Sequence, residues 1–298
     1  MSRRYCIYDV FTDRALSGNP LAIVLESDGL DEETMQAVAG EFNLSETVFV
    51  CAAERPAHSA SVRIFTPDQE LPFAGHPTVG TAVCLAEERF GDDGAQQEAV
   101  IVLEEKIGIV RCGVRLNGGS GFAEFDIPKP PHQLPCELPK GELADSIGLD
   151  SADLTFENHR PVRWSAGVPF NFVPLRDLAS LATAQPRLES WSIFGDHGTY
   201  LYTRETVGHD HQFSARMFWP GSGIAEDPAT GSAAAAFAGV VHQFDRFPDG
   251  DHEFVIEQGF DMGRPSIIRV ECSVAGSGLQ RVRIGGNAVK VAEGTLKI

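Results

Sequence analysis

The chain has 298 residues, 43% of them hydrophobic and 22% charged, enough apolar material for two cores, which excludes a disordered chain. Its 24 Lys and Arg stand against 42 Asp and Glu, a net charge of −18. That field repels phosphate backbones and anionic lipid, so the charge argues against nucleic acid and membrane as partners.

Residues Met1-Ser2-Arg3-Arg4-Tyr5-Cys6 run into Asp9 and Asp13 without the apolar core of a signal peptide. The longest apolar stretch, Ala233 to Val241, is too short to span a bilayer. A cytoplasmic location is the expectation. Cysteines at 6, 51, 84, 112, 136 and 272 are scattered and form no CxxC pair, as for free thiols in a reducing compartment.

In chain order, Tyr5–Val10 and Leu21–Leu25 carry β-branched and aromatic residues and read as strands. Asp31 to Phe42 reads as a helix capped by Asp31, with Met35, Val38 and Phe42 at helical spacing. Strands follow at Thr47–Cys51 and Ser61–Phe65, and a helix opens at Pro77, where proline suits a first turn. Val100–Leu103, Ile107–Leu116 and Phe122–Ile127 give further strands, with Gly118-Gly119-Ser120-Gly121 as a hairpin turn. Pro128-Lys129-Pro130-Pro131, with Pro135 and Pro139, is a connector that cannot continue a sheet.

The second half repeats the first. Gly75-His76-Pro77-Thr78-Val79-Gly80-Thr81-Ala82 recurs as Glu226-Asp227-Pro228-Ala229-Thr230-Gly231-Ser232-Ala233, 151 positions later. Arg63-Ile64-Phe65-Thr66-Pro67 matches Arg216-Met217-Phe218-Trp219-Pro220, and Gly18-Asn19-Pro20 with its apolar strand matches Gly167-Val168-Pro169. Three matches in one order at nearly one offset indicate a duplicated unit. The expected architecture is α+β. Two pseudo-symmetric domains each have a curved, mostly antiparallel sheet rolled around a central helix. The first spans 1–127 and the second 128–286. A helix opening at Pro228 and apolar on every face through Ala233–Val241 suits a helix wrapped by a sheet.

Both repeats place a polar residue, a proline and a glycine at a helix start, where unpaired N–H groups and the macrodipole favour an anion. Two such ends aimed at one cleft would hold a carboxylate in an otherwise acidic protein. Asp227 alone reads equally as an ordinary N-cap, whereas His76 is a poor cap and points to function. Glu46 enters an apolar strand from a turn in Asn43-Leu44-Ser45-Glu46-Thr47, a place that could desolvate a carboxyl, although acids at strand starts are common. Its counterpart lies near Gly198, where no acid stands, so the repeat is asymmetric there. His209-Asp210-His211 lacks further ligands at metal-binding spacing, and no GxSxG or phosphate loop occurs. Neither metal nor cofactor is expected.

Together Asp9-Val10-Phe11-Thr12, Gly18-Asn19-Pro20, Asn43-Leu44-Ser45-Glu46-Thr47 and Leu71-Pro72-Phe73-Ala74-Gly75-His76-Pro77-Thr78 resemble the PhzF (phenazine-biosynthesis) family. So do Gly223-Ile224-Ala225-Glu226-Asp227-Pro228-Ala229-Thr230-Gly231-Ser232-Ala233 and Glu257-Gln258-Gly259. The resemblance implies a diaminopimelate-epimerase-like fold in which 287–298 returns to the first domain, a homodimer, and an isomerase of a small carboxylic acid similar to trans-2,3-dihydro-3-hydroxyanthranilate isomerase. It implies Glu46 as general acid/base. Substrate contacts would come from the Gly75 backbone, His76, Asp227 and Ser232. Related racemases use two cysteines, and neither helix-opening motif contains one. An amino-acid or hydroxy-acid epimerase, or a non-catalytic small-acid-binding protein, are the alternatives.

Overall fold

The computed structural model describes residues 2–91, 96–222 and 224–298, so Gly223 of the second helix-opening motif lies outside the described residues. The chain divides into two compact units, 1–128 with 285–298, and 129–284.

The first unit begins with β1 (Ser2–Val10), β2 (Asn19–Val24), α1 (Glu32–Phe42) and β3 (Glu46–Cys51). It continues with β4 (Ala60–Phe65), β5 (Glu70–Leu71), α2 (Gly75–Phe90), β6 (Gln96–Glu105), β7 (Gly108–Asn117) and β8 (Gly121–Asp126). Asp31 caps α1 by accepting from Thr34 N at 2.9 Å, and Asn43 ends it in the left-handed region at φ 51°. Met35, Val38 and Ala39 of α1 then pack with Val24, Phe49 and Phe65 on one face of the sheet.

The second unit contains β9 (His132–Leu134), α3 (Lys140–Ile147), β10 (Val162–Ser165), β11 (Pro169–Pro174), α4 (Leu178–Thr183) and β12 (Gly198–Thr203). β13 (Phe213–Trp219), β14 (Ile224–Asp227), α5 (Gly231–Asp245), β15 (Gly250–Gln258) and β16 (Ser266–Ala275) follow. β17 (Gly278–Lys297) supplies the last thirteen of its residues to the first unit, where it runs antiparallel to β1 from Ser2↔Lys297 to Val10↔Ala288.

In the first unit β1 pairs antiparallel with β2, β2 parallel with β3, β3 antiparallel with β4, and β4 parallel with β6. β6, β7 and β8 continue antiparallel, and pairing of β8 with β17 closes an eight-strand barrel. α2 runs through it, touching β1, β2, β3, β6, β7 and β8, and is buried without a break from Gly75 to Cys84. Gly80 sets the close approach. A Cβ there would lie 2.6 Å from Leu21 Cδ2 and 2.7 Å from Val10 Cγ2.

The second unit repeats this order of pairings: β11 parallel with β12, β12 antiparallel with β13, β13 parallel with β15, β15 antiparallel with β16. Its central helix α5 is apolar all round. Phe237 meets the rings of Phe172, Tyr202, Phe213 and Phe254, one from each of four strands, at 4.6–6.2 Å. Truncating a ring so enclosed typically costs about 3–5 kcal/mol. On the other face, Leu143, Ile147, Leu181, Trp191 and Phe194 cover Val173, Leu201 and Phe218, the positions that match Val24, Phe49 and Phe65.

Three expectations need correction. α2 starts at Gly75, two residues before Pro77, because a proline in the first turn forfeits only an N–H that has no helical partner anyway. α5 starts at Gly231, three residues after Pro228, because the Gln258 side chain ties Asp227 O and Thr230 into a loop ahead of it. The proline-rich connector does carry a strand, since His132–Leu134 lies between prolines and pairs with Arg163–Ser165. The Gly118–Gly119 turn has both φ angles positive, 49° and 85°, and closes the β7–β8 hairpin through Asn117 N to Ser120 O at 3.0 Å. Among the described residues no helix is long and apolar enough to cross a membrane.

Candidate functional site

In the first unit, the left-handed turn at Asn43 delivers the chain into β3 with Glu46 as its first residue, opposite Leu21 of β2. The Glu46 side chain is 13% exposed, and its Oε2 lies 3.4 Å from Nε2 of His76, which is 4% exposed. His76 is the second residue of α2, not its cap; the N-cap is Ala74, which offers no side-chain bond. Burial pushes the His76 imidazole down to about 3, so it is neutral at physiological pH and its contact with Glu46 is not an ion pair. On the other side of the ring, Nδ1 faces the Asn19 amide nitrogen at 3.4 Å. With that amide donating, the ring proton sits on Nε2, the nitrogen that faces Glu46. The first unit thus brings together Glu46, His76, Gly75 and Asn19. Gly18, in the left-handed region at φ 65°, allows the turn into Asn19, since a Cβ would lie 2.6 Å from Thr12 Cγ2.

In the second unit, Asp227 ends β14 and is buried. It is not a helix cap. Its Oδ2 accepts from Thr230 Oγ1 at 2.5 Å. Gln258, the buried last residue of β15, donates to Asp227 O at 2.8 Å and to Thr230 Oγ1 at 3.0 Å, and accepts from Thr230 N at 3.1 Å. One amide therefore satisfies three groups across the loop that precedes α5. Gly259 lets the loop come this close. It sits at φ 76°, and a Cβ would lie 2.5 Å from Arg264 O and 2.6 Å from Pro228 O. Ser232, half-buried, is the second residue of α5. Burial and the Asp227 charge push the Tyr200 hydroxyl well above the ordinary tyrosine range, so it stays protonated.

Each unit braces the approach to its helix in the same way. Arg63 holds Glu70 through two bonds of 2.8 Å and stacks on Phe65 at 5.1 Å. Arg216 holds Glu226 at 2.7 and 2.9 Å and stacks on Phe218 at 4.8 Å. Paired, fork-shaped bonds of this kind are the geometrically specific form of a salt bridge.

The asymmetry at Glu46 has a steric cause. The parallel pair β2–β3 sets Leu21 against Glu46, and β11–β12 sets Phe170 against Gly198. A Cβ on Gly198 would lie 2.8 Å from the Phe170 ring and 3.2 Å from Trp219, whose rings pack edge to face at 5.9 Å. The second unit fills with aromatic rings the place where the first presents a carboxyl.

Sequence reasoning gave Asn19 and Gln258 no role of their own. Their signals were the Gly-Asn-Pro and Glu-Gln-Gly motifs, which place a polar side chain beside a glycine whose backbone permits close approach. His211 of the His-Asp-His run donates to Glu257 at 2.6 Å, and Glu257 also accepts from Val207 N, Gly208 N and Ser214 Oγ. That run anchors a loop. The acidic group Glu157, His159 and Asp245 is served by Arg204, 2.6 Å from Asp245 and 3.5 Å from Glu157.

Residues 8–294 match the family described as phenazine biosynthesis-like protein. An uncharacterized isomerase of Mesorhizobium japonicum is 50% identical, covering 100% of this chain and 99% of the relative. The trans-2,3-dihydro-3-hydroxyanthranilate isomerase of Pseudomonas aeruginosa is 34% identical, covering 98% of each. The crystal structure of a PhzF-family phenazine biosynthesis protein from Bacillus anthracis superposes with a TM-score of 0.90 at 29% identity, covering 100% of both chains.

Proposed function

We propose that this chain, which belongs to the phenazine biosynthesis-like protein family and is an isomerase, moves a proton within a small carboxylic acid without a cofactor, Glu46 serving as its acid/base. The observation that carries this reading is the largely buried Glu46 carboxyl beside a buried, neutral His76. Glu46 removes a proton from one carbon and returns it at another. A positioned acid/base of this kind contributes about 10² to 10⁴ in rate. The Nε2–H of His76 donates to the charge that develops on the substrate, and a neutral donor does so without first forming a salt bridge to Glu46. Gly75, His76, Asp227 and Ser232 are the substrate-binding residues. Gly75 contributes its backbone, and Asp227 contributes its carboxylate. The aromatic filling at Gly198 favours one acid/base over an epimerase pair.

The substrate class is that of trans-2,3-dihydro-3-hydroxyanthranilate, a small unsaturated acid, and phenazine biosynthesis is the corresponding pathway. The protein acts as a cytoplasmic homodimer. Six free cysteines, four of them buried, support the reducing compartment. Proton exchange and turnover of trans-2,3-dihydro-3-hydroxyanthranilate by wild type and Glu46→Gln test both parts. Turnover by wild type and none by the variant is expected. An active variant refutes Glu46, and an inert wild type refutes the substrate. Sedimentation checks the dimer.

A further inference from the structure

Thr78 lies one turn into α2, and its Oγ1 is 2.8 Å from Ala74 O and 2.8 Å from Glu105 Oε1. A hydroxyl carries one proton, and a carbonyl oxygen can only accept. The Thr78 proton therefore goes to Ala74, and the second contact needs a donor on the carboxyl side. An ionised carboxylate has none. The environment agrees: Glu105 ends β6 on its inward face beside Ile101 and Leu103, is 7% exposed, and its Oε2 has no hydrogen-bond partner among the described residues. A charged oxygen left so would carry a far larger desolvation penalty than a neutral carbonyl.

We infer that Glu105 is a neutral carboxylic acid that donates its proton to Thr78, and through Thr78 and Ala74 locks the helix turn that carries Gly75 and His76. It is a positioning residue for the proposed site. Only that consequence rests on the reading of His76; the protonation does not.

Burial pushes the Glu105 carboxyl up to about 8, so the neutral form holds through neutral pH. The titratable group beside it from β7 is the Cys112 thiol, which burial likewise pushes far up and keeps neutral. From α2 it meets the Thr78 hydroxyl. The charges around it, Arg63 of β4, Glu70 of β5 and its own chain neighbours Glu104 and Lys106, are engaged elsewhere: Arg63 and Lys106 with Glu70, and Glu104 with His58. When Glu105 ionises, the Thr78 hydroxyl must turn to it, and Ala74 O keeps only the Thr78 backbone N–H at 3.2 Å.

The test is infrared difference spectroscopy of the full chain from pH about 6 to about 10, together with ring-nitrogen NMR of His76. Wild type should show a protonated-carboxyl band that vanishes as pH passes about 8 and is missing in Glu105→Gln. The His76 ring signals should shift over the same range in wild type and stay fixed in Glu105→Gln, whose amide donates to Thr78 without titrating. In Thr78→Val the protonated-carboxyl band should shift in frequency, because the acid loses the acceptor of its proton. A band that stays in place in that variant shows that the acid does not donate to Thr78, and overturns the proposal. So does a wild type with no carboxyl band at neutral pH. A band that titrates while the His76 signals stay still overturns the positioning role. None of these readouts uses substrate, so failure here is separable from failure of the proposed reaction.

Discussion

Replacing His76 with Gln should make the protein less sensitive to acid. The imidazole is 4% exposed and its folded-state value is depressed to about 3, against about 6.5 for a free side chain. A depressed value contributes stability that is fully present above about pH 6.5 and drains away as pH falls towards about 3, because only the unfolded chain takes up the proton in that window. At 1.36 kcal/mol per unit, the loss from His76 alone is about 2 kcal/mol at pH about 5 and approaches about 5 kcal/mol near pH 3. Both proteins share their carboxylates, so the difference between them isolates the histidine. Denaturant unfolding of wild type and His76→Gln at pH about 7 and about 5 measures it. The stability gap between them should shift by about 2 kcal/mol in favour of the variant at the lower pH. Parallel declines would mean that the ring is solvated or charged in the folded state, and the neutral-donor role of His76 would fall with it.

Glu46→Gln should retain the fold, since the amide matches the carboxyl in shape, while turnover drops by at least about 10²; circular dichroism and steady-state kinetics together check this. Gly259→Ala places a Cβ 2.5–2.6 Å from two backbone oxygens at φ 76°, and should cost at least about 2 kcal/mol in unfolding free energy. Gln258→Ala leaves Thr230 N without its partner, and a loss of about 1–3 kcal/mol is expected in the same assay. Chelators and thiol alkylation should leave turnover unchanged, because the proposed chemistry uses neither metal nor sulfur; inactivation traced to a modified cysteine beside Glu46 would contradict it.

The internal repeat carried most of the fold in legible form. Its matched Arg63 and Arg216 become equivalent forks on Glu70 and Glu226, and its gap at Gly198 falls opposite Phe170 as Glu46 falls opposite Leu21. The helix starts were less legible. Similar motifs begin a helix five residues apart in aligned terms, because a strand-end glutamine captures Thr230 N in one unit and, among the described residues, no side chain captures Val79 N in the other. Glu105 was invisible for a different reason. Glu104-Glu105-Lys106 reads as a charged turn, and only the pleat of β6 reveals that Glu105 points inward while Glu104 bonds the 54–55 backbone outside. The neutrality of His76 likewise depends on how tightly α2 is sheathed, which no local pattern encodes.

The ring packed over Gly198 also constrains how this chain can evolve. A glutamate codon lies one nucleotide from some glycine codons, so a second carboxyl opposite the first is genetically close. Sterically it is remote, because any side chain at 198 meets Phe170 and Trp219. Phe170 would have to shrink first, and losing a fully buried ring that also packs on Phe172 costs about 3–5 kcal/mol, a large share of a typical domain's stability. The two substitutions are therefore epistatic. Either one alone damages the second unit, and a lineage that needed an acid in both halves would have to cross an unstable intermediate or start from an ancestor in which that ring was never placed.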